Sequence, residues 1–391
     1  MILFKEAYKI VMDSAYALEN ERIDIKYSLN RVLAEDAISD IDMPPFDKSA
    51  MDGYACRRED LKNELKIIEI IQAGMIPQKI ISKNKCTKIM TGAIIPEGAN
   101  CVIMVEHTEM IDNNKIRFTK SNTDINICYK GEDIKTGDMV LKKGTQLKPQ
   151  HIAVLASVGY GHPLVVKQLK ISIISTGNEL VEPYQKPELS QIRNSNSYQL
   201  IAQVKNTGAI PDYTGIFDDS ETKLYQTVIK ALSENDVVLL TGGVSMGDYD
   251  LVPEILEKAK IQILFKKIAT KPGKPTVFGI YKNKFCFGLP GNPVSSFIMF
   301  EFLVKPFLYK MMGIPFTPIY IKMPIGVDYK QKLTDRIARI PVKLTKNGFV
   351  LPVEYHGSAH IHSICEADGI ISIPIGKAVL NKGEIVDVRQ I

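Results

Sequence analysis

The sequence predicts a multidomain α/β protein with a doubly wound parallel sheet at its centre. Three observations carry that prediction. The 391 residues exceed what one compact core usually holds, so about two to four domains are expected. Between about residues 170 and 312, unbroken apolar runs alternate with helically spaced ones, the pattern of strands joined by crossover helices. On either side the texture changes to short β-like runs cut by glycines and prolines. The composition, 45% hydrophobic and 24% charged, is that of a globular protein and excludes a disordered chain.

The elements follow in order. Residues 3–18 place Phe4, Ala7, Tyr8, Val11, Ala15 and Leu18 close to helical spacing. The paired prolines in residues 42–47 forbid both helix and central strand there. Runs at 67–71, 88–90, 101–105 and 115–118 read as strands of a small β lobe, and 150–158 as a helix. Residues 171–174 form a buried strand, and a helix over 197–205 ends at Gly208. A short strand at 215–217 precedes a helix over 224–232, with Ser220 as candidate cap. Next come a second buried strand at 237–240, a helix at 253–259 and a strand at 261–268. Asn292 and Pro293 then open a long apolar helix over 294–312. Beyond Gly313 the proline-rich texture predicts a separate β domain without helix.

Several function classes are excluded early. A net charge of +5, from 49 basic and 44 acidic residues, is too small to imply nucleic-acid binding, but suits an anionic ligand where lysines cluster. No apolar run approaches the roughly 20 residues that span a bilayer. The start, residues 1–6, becomes charged at once, so a cytoplasmic protein without membrane attachment is expected. The six cysteines show no C-x-x-C spacing and read as free thiols, with Cys286 in an inert apolar strand.

In an open parallel sheet, ligands sit beyond the carboxyl ends of the strands. Three loops converge there: Thr176-Gly177-Asn178-Glu179, Thr241-Gly242-Gly243 and Gly291-Asn292-Pro293. Paired glycines let backbone N–H groups approach an anion, and a helix start favours phosphate. Each loop alone reads equally well as a tight turn; together they point to a phosphate or nucleotide site. Neither the P-loop pattern nor G-x-G-x-x-G is present. Lys271-Pro272-Gly273-Lys274-Pro275 adds two cations to this edge, the alternative being a solvated basic turn. Glu179, Asp218, Asp219, Asp248 and Asp250 follow strands on the same edge, where carboxylates beside phosphates suggest Mg²⁺.

The amino-terminal lobe carries a dense loop, Pro44-Pro45-Phe46-Asp47-Lys48-Ser49-Ala50-Met51-Asp52-Gly53-Tyr54-Ala55. With Met90-Thr91-Gly92, Gly131-Glu132-Asp133-Ile134, residues 175–180, Thr241-Gly242-Gly243-Val244-Ser245-Met246-Gly247, residues 271–275 and residues 289–295, it resembles the molybdopterin molybdenumtransferases, the family that includes the gephyrin E domain. Seven motifs in sequence, spanning the chain to about residue 312, make the resemblance specific.

The resemblance implies a helical connector and dimerisation domain from residues 1–40 and 140–168, with an inserted β lobe at 41–139. It implies a molybdopterin-binding-like α/β domain at 169–312 and a β-barrel-like domain at 313–391. It further implies a homodimer whose cleft is completed across subunits. There adenylylated molybdopterin and molybdate react in a Mg²⁺-dependent step that releases AMP and places molybdenum on the dithiolene. By position, Asp52, Thr91, Asp133, Glu179 and Asp250 would be catalytic, and Asp218 and Asp250 would hold metal. Thr241, Gly242, Gly243, Ser245, Lys271, Lys274, Gly291, Asn292 and Pro293 would bind substrate, with Arg339 and Ser358 as oxyanion contacts. Lys48 stands where the family commonly has Asn, adding charge beside the loop.

Two other functions remain open: adenylylation of molybdopterin by the α/β domain, and a non-catalytic gephyrin-like scaffold. Transient contact with the separate adenylyltransferase is also implied. Finally, His356, His360 and His362 would share one face of a strand, which permits a metal site; a solvent-facing or oxyanion-binding strand is the alternative.

Overall fold

The computed structural model describes residues 1–218, 220–243, 252–354, 357 and 359–391. The first helix, α1 (Phe4–Asp13), is capped where Glu6 accepts a 2.8 Å hydrogen bond from the Leu3 N–H. Ala7 and Val11, four residues apart, carry its buried face into the α/β core. Ile2 meanwhile bridges to Ile268.

The lobe is a six-stranded sheet whose spatial order runs Cys101–Met104, Gly53–Cys56, Lys85–Ile89, Glu64–Ile71, Lys115–Phe118 and Thr108–Asp112. All four expected strands are there. Gly53 sits so close to the Ile103 carbonyl that a Cβ would collide with it, which explains a glycine inside this strand. A second helix, α2 (Pro149–Ser157), begins on the proline that its first turn tolerates.

The central sheet has six strands, numbered here in chain order: β1 (Lys170–Thr176), β2 (Ile210–Phe217), β3 (Val237–Thr241), β4 (Gln262–Phe265), β5 (Val277–Tyr281) and β6 (Lys284–Leu289). Their spatial order is β2-β1-β3-β6-β5-β4. The pairs β1·β2, β1·β3 and β3·β6 are parallel. The wholly parallel expectation is corrected at β5, which runs antiparallel to both β6 and β4. Only Lys282 and Asn283 separate β5 from β6, and a two-residue loop can join only antiparallel neighbours. Strand β2 is longer than expected because its first half, Ile210-Pro211-Asp212-Tyr213, is a half-exposed edge where proline is tolerated.

Helices α3 (Ser195–Thr207), α4 (Glu221–Glu234) and α5 (Val252–Lys258) connect the strands. Gly208, in the left-handed region at φ +89°, ends α3 as expected. Apolar clusters cover both faces of the sheet. The long helix expected over 294–312 is three pieces: α6 (Pro293–Met299), a π turn (Phe300–Val304) and α7 (Lys305–Met311). Pro306 lacks the N–H that a regular ladder needs, and the Glu301 carbonyl is bonded from outside by Arg389 at 2.6 Å.

The carboxyl-terminal sheet contains Ile337–Leu344, Gly369–Ile373, Ile385–Gln390 and Tyr320–Pro324, with Val350–Pro352 paired to the first. The pair Thr270–Lys271 joins its edge in parallel, tying the basic loop to this domain. A short helix, α8 (His362–Cys365), corrects the helix-free expectation. Ile361 and Ile364, three apart, pack against Val294, Ile298 and Phe302, and that contact imposes helical spacing. No helix among the described residues is long and apolar enough to cross a membrane. All six cysteines are free, and burial pushes the Cys286 thiol up.

Candidate active site

The carboxyl ends of β1, β3 and β6 open into a cleft of about 760 Å³. Thr176, Gly177 and Glu179 follow β1, Thr241 to Gly243 follow β3, and Pro290 to Pro293 follow β6; all line it. The three glycine loops read from the sequence are therefore brought together.

Their geometry depends on glycine. Gly242 has φ +93°, and a Cβ there would collide with the Thr176 carbonyl. Gly243 has φ +58° and lies against the Thr176 hydroxyl and Val252. A Cβ on Gly177 would meet the Glu179 carboxylate at 2.5 Å, so the glycine leaves room for that acid at the cleft wall.

Sequence reasoning missed the fourth wall, the start of α3. Asn194 caps it by accepting from the Ser197 N–H at 3.2 Å. Asn196 donates to Thr241 Oγ1 and to the Gly291 carbonyl, each at 2.8 Å. Arg193, Asn194, Ser195 and Asn196 all line the cleft. The expected start at 197 was two residues late; the asparagines at 194 and 196 were the available cap signal. Behind this wall, Asn194 donates to the Tyr213 hydroxyl at 3.1 Å. Tyr213 and Tyr198 both donate to Glu182, at 2.6 and 3.0 Å. Burial, then the bond to Glu182, raises the Tyr213 phenol.

The basic loop lies at the cleft's margin, which Pro275 lines. Lys271 and Lys274 are exposed and meet no acidic partner among the described residues. Asp218 does not line the cleft; it pairs with Lys223 at 2.9 Å, and that lysine lowers its carboxyl pKa. Ser245, Asp248, Asp250, Asp219, His356 and Ser358 lie outside the described residues.

Arg339 is corrected. Only 1% exposed, it is held between the rings of Phe4 and Phe302, its guanidinium carbon 3.8 and 4.4 Å from their centroids. It donates to Thr270 Oγ1. Burial, then the charge of Arg389, brings its pKa down to about 9. A side chain so enclosed does not face an oxyanion in the cleft. The strand expected to carry the histidines is corrected at His362, which lies in α8; His356 lies outside the described residues.

In the lobe, Asp52 and Thr91 meet. Asp52 Oδ1 accepts from the Thr91 N–H at 2.6 Å and from its hydroxyl at 2.8 Å. The backbone bond, then the hydroxyl, holds the Asp52 carboxyl below its ordinary range. The Asp133 N–H donates to the Met43 carbonyl at 3.0 Å, which ties that loop to residues 43–44. No residue of 41–139 lines the cleft of the same chain.

A doubly wound sheet with three loops converging at its strand ends, two of them dependent on glycine, defines an α/β protein with a ligand-sized cleft at that edge. Family comparisons then make the class specific. Residues 2–159 match the MoeA N-terminal region (domains I and II), 172–310 the probable molybdopterin-binding domain, and 328–391 the MoeA C-terminal region (domain IV). A molybdopterin molybdenumtransferase of Staphylococcus epidermidis is 39% identical, covering 99% of this chain and 95% of that protein. One from Staphylococcus aureus is 37% identical over 98% and 94%. The crystal structure of a molybdopterin biosynthesis MoeA protein from Pyrococcus horikoshii superposes with TM-score 0.81 at 32% identity, over the whole of both chains. The chain belongs to the molybdopterin molybdenumtransferase (MoeA) family. It is a transferase of molybdenum cofactor biosynthesis.

Proposed function

We propose that this chain inserts molybdenum from molybdate into adenylylated molybdopterin and releases AMP. One observation carries the reading: a family member's cleft, of nucleotide size, is walled by three loops at its strand ends, two of which depend on glycine. Backbone N–H groups there suit a phosphoanhydride, and Lys271 and Lys274 supply countercharge for phosphate or molybdate. Glu179 is the described carboxylate at the cleft wall.

Mg²⁺ suits the acids of this edge, since it needs only one or two carboxylates beside phosphate oxygens. Asp218 is paired with Lys223 away from the cleft lining, so Asp250 would be the ligand, with Glu179 the carboxylate at the cleft wall. Such an ion would neutralise charge on the phosphates.

Because the lobe residues do not reach the cleft of their own chain, the reading places Asp52, Thr91 and Asp133 in the cleft of a second copy. The enzyme would then be a cytoplasmic homodimer that receives its substrate from the separate adenylyltransferase. Purified chain given adenylylated molybdopterin, molybdate and Mg²⁺ should release AMP and yield cofactor that activates an apo-molybdoenzyme. No AMP under those conditions would sink the reading. Asp250→Ala should retain AMP binding and lose metal-dependent release, which wild-type turnover would refute.

A further inference from the structure

Asn196 has no role in the reading above, yet it is the side chain on which two of the cleft's loops meet. Strands β3 and β6 stay in register as far as Thr241 opposite Leu289. Beyond that pair the Gly242 N–H still reaches the Leu289 carbonyl, at 3.4 Å. There the chains become loops, with Gly291 packed on Gly242: a Cβ on Gly291 would lie 3.5 Å from the Gly242 Cα.

Asn196 spans this gap from a third element. A carboxamide nitrogen has two hydrogens, and both are used: one on Thr241 Oγ1, the other on the Gly291 carbonyl. Thr241 in turn donates to the Pro290 carbonyl at 3.3 Å, which closes a chain of bonds across the loops. Asn196 is 9% exposed, and its buried Oδ1 has no partner among the described residues. Water therefore competes poorly for these bonds, and losing a donor strands buried acceptors.

We propose that Asn196 is a positioning residue: it sets the spacing between the Thr241-Gly242-Gly243 and Gly291-Asn292-Pro293 loops, and thereby the affinity of the cleft for phosphate. The proposal rests on the cleft being the phosphate site. Its action is through the loops, not through contact with the ligand. Aspartate keeps the shape of asparagine but cannot donate to the Gly291 carbonyl, and alanine donates to neither acceptor.

The test uses the full chain with AMP as probe, by calorimetry, alongside AMP-release kinetics. In both Asn196→Asp and Asn196→Ala, the Kd for AMP and the KM should rise about tenfold while kcat stays within about twofold, the loss expected for about one buried hydrogen bond. Combined with Thr241→Val, Asn196→Ala should add less than the product of the single effects, because one bond is shared. Wild-type AMP affinity in both variants, or a fall in kcat at unchanged KM, overturns the proposal. Should both of those Asn196 variants fail to fold, Asn196→Ser, which keeps one small donor, is titrated with AMP instead and must bind it more weakly than wild type; wild-type affinity in that variant overturns the proposal too. A wild-type chain that binds AMP but releases none refutes molybdenum transfer, and the binding arm still decides the role of Asn196.

Discussion

Asp52 takes two hydrogen bonds from one neighbour. Two hydrogen bonds from Thr91 favour the carboxylate over the acid, so the group stays ionised to lower pH than an ordinary aspartate. A depressed folded-state pKa means this contribution is fully present above the unfolded value, near 3.9, and is lost as pH falls through the lower folded value. Thr91→Val removes the hydroxyl and keeps the backbone donor, so the Asp52 pKa should rise part of the way back. Carbon-detected NMR titration of the carboxyl would measure this; an unchanged value contradicts the assignment. Gly242→Ala joins a disfavoured φ to a collision with the Thr176 carbonyl. It should lower stability by about 1–3 kcal/mol in urea unfolding and weaken AMP binding at least about tenfold. At this scale the glycines were legible in the sequence because their backbone demand is local. Arg339 was not, since its enclosure by Phe4 and Phe302 joins residues from opposite ends of the chain.

The junction of the α/β and carboxyl-terminal elements is built from arginines on aromatic rings. Arg389 lies 4.0 Å from the Phe302 ring centroid and bonds the carbonyl of Glu301 in the π turn, while Arg339 packs 4.4 Å from the same centroid. Both are buried, and burial lowers the pKa of each. Their packing therefore matters more than their charge. Arg339→Ala should cost about 2–4 kcal/mol in urea unfolding, and Arg339→Met less than half of that. Equal losses would show instead that the charge carries the contact. Element type was readable wherever periodicity was long, as in α1, α4 and the buried strands β1 and β3. The strand β5 was not expected at all, and the two-residue turn before β6 sets its direction. The helix α8 escaped because its four residues form against Val294 and Phe302 rather than from local propensity.

For the whole molecule, the separation of lobe and cleft decides the outcome of mixing. Under the proposed arrangement, Asp52→Ala spoils a site through the lobe and Asp250→Ala through the α/β domain, on different copies. Equal amounts of the two inactive proteins, allowed to exchange subunits, should form half heterodimers with one intact site each and recover about a quarter of wild-type AMP release. Continued inactivity after verified exchange would show that each chain serves its own cleft. The order of the parts was legible, since the motifs fall in sequence, but which copy a motif serves is not written in any spacing. An absence in one chain, of any residue from 41–139 at the cleft, then bears on quantity as well as geometry. Turnover per chain would cease to be a constant and would fall with dilution once protein concentration drops below the dimer dissociation constant. A cell making little of this protein would lose more than a proportional share of its cofactor supply.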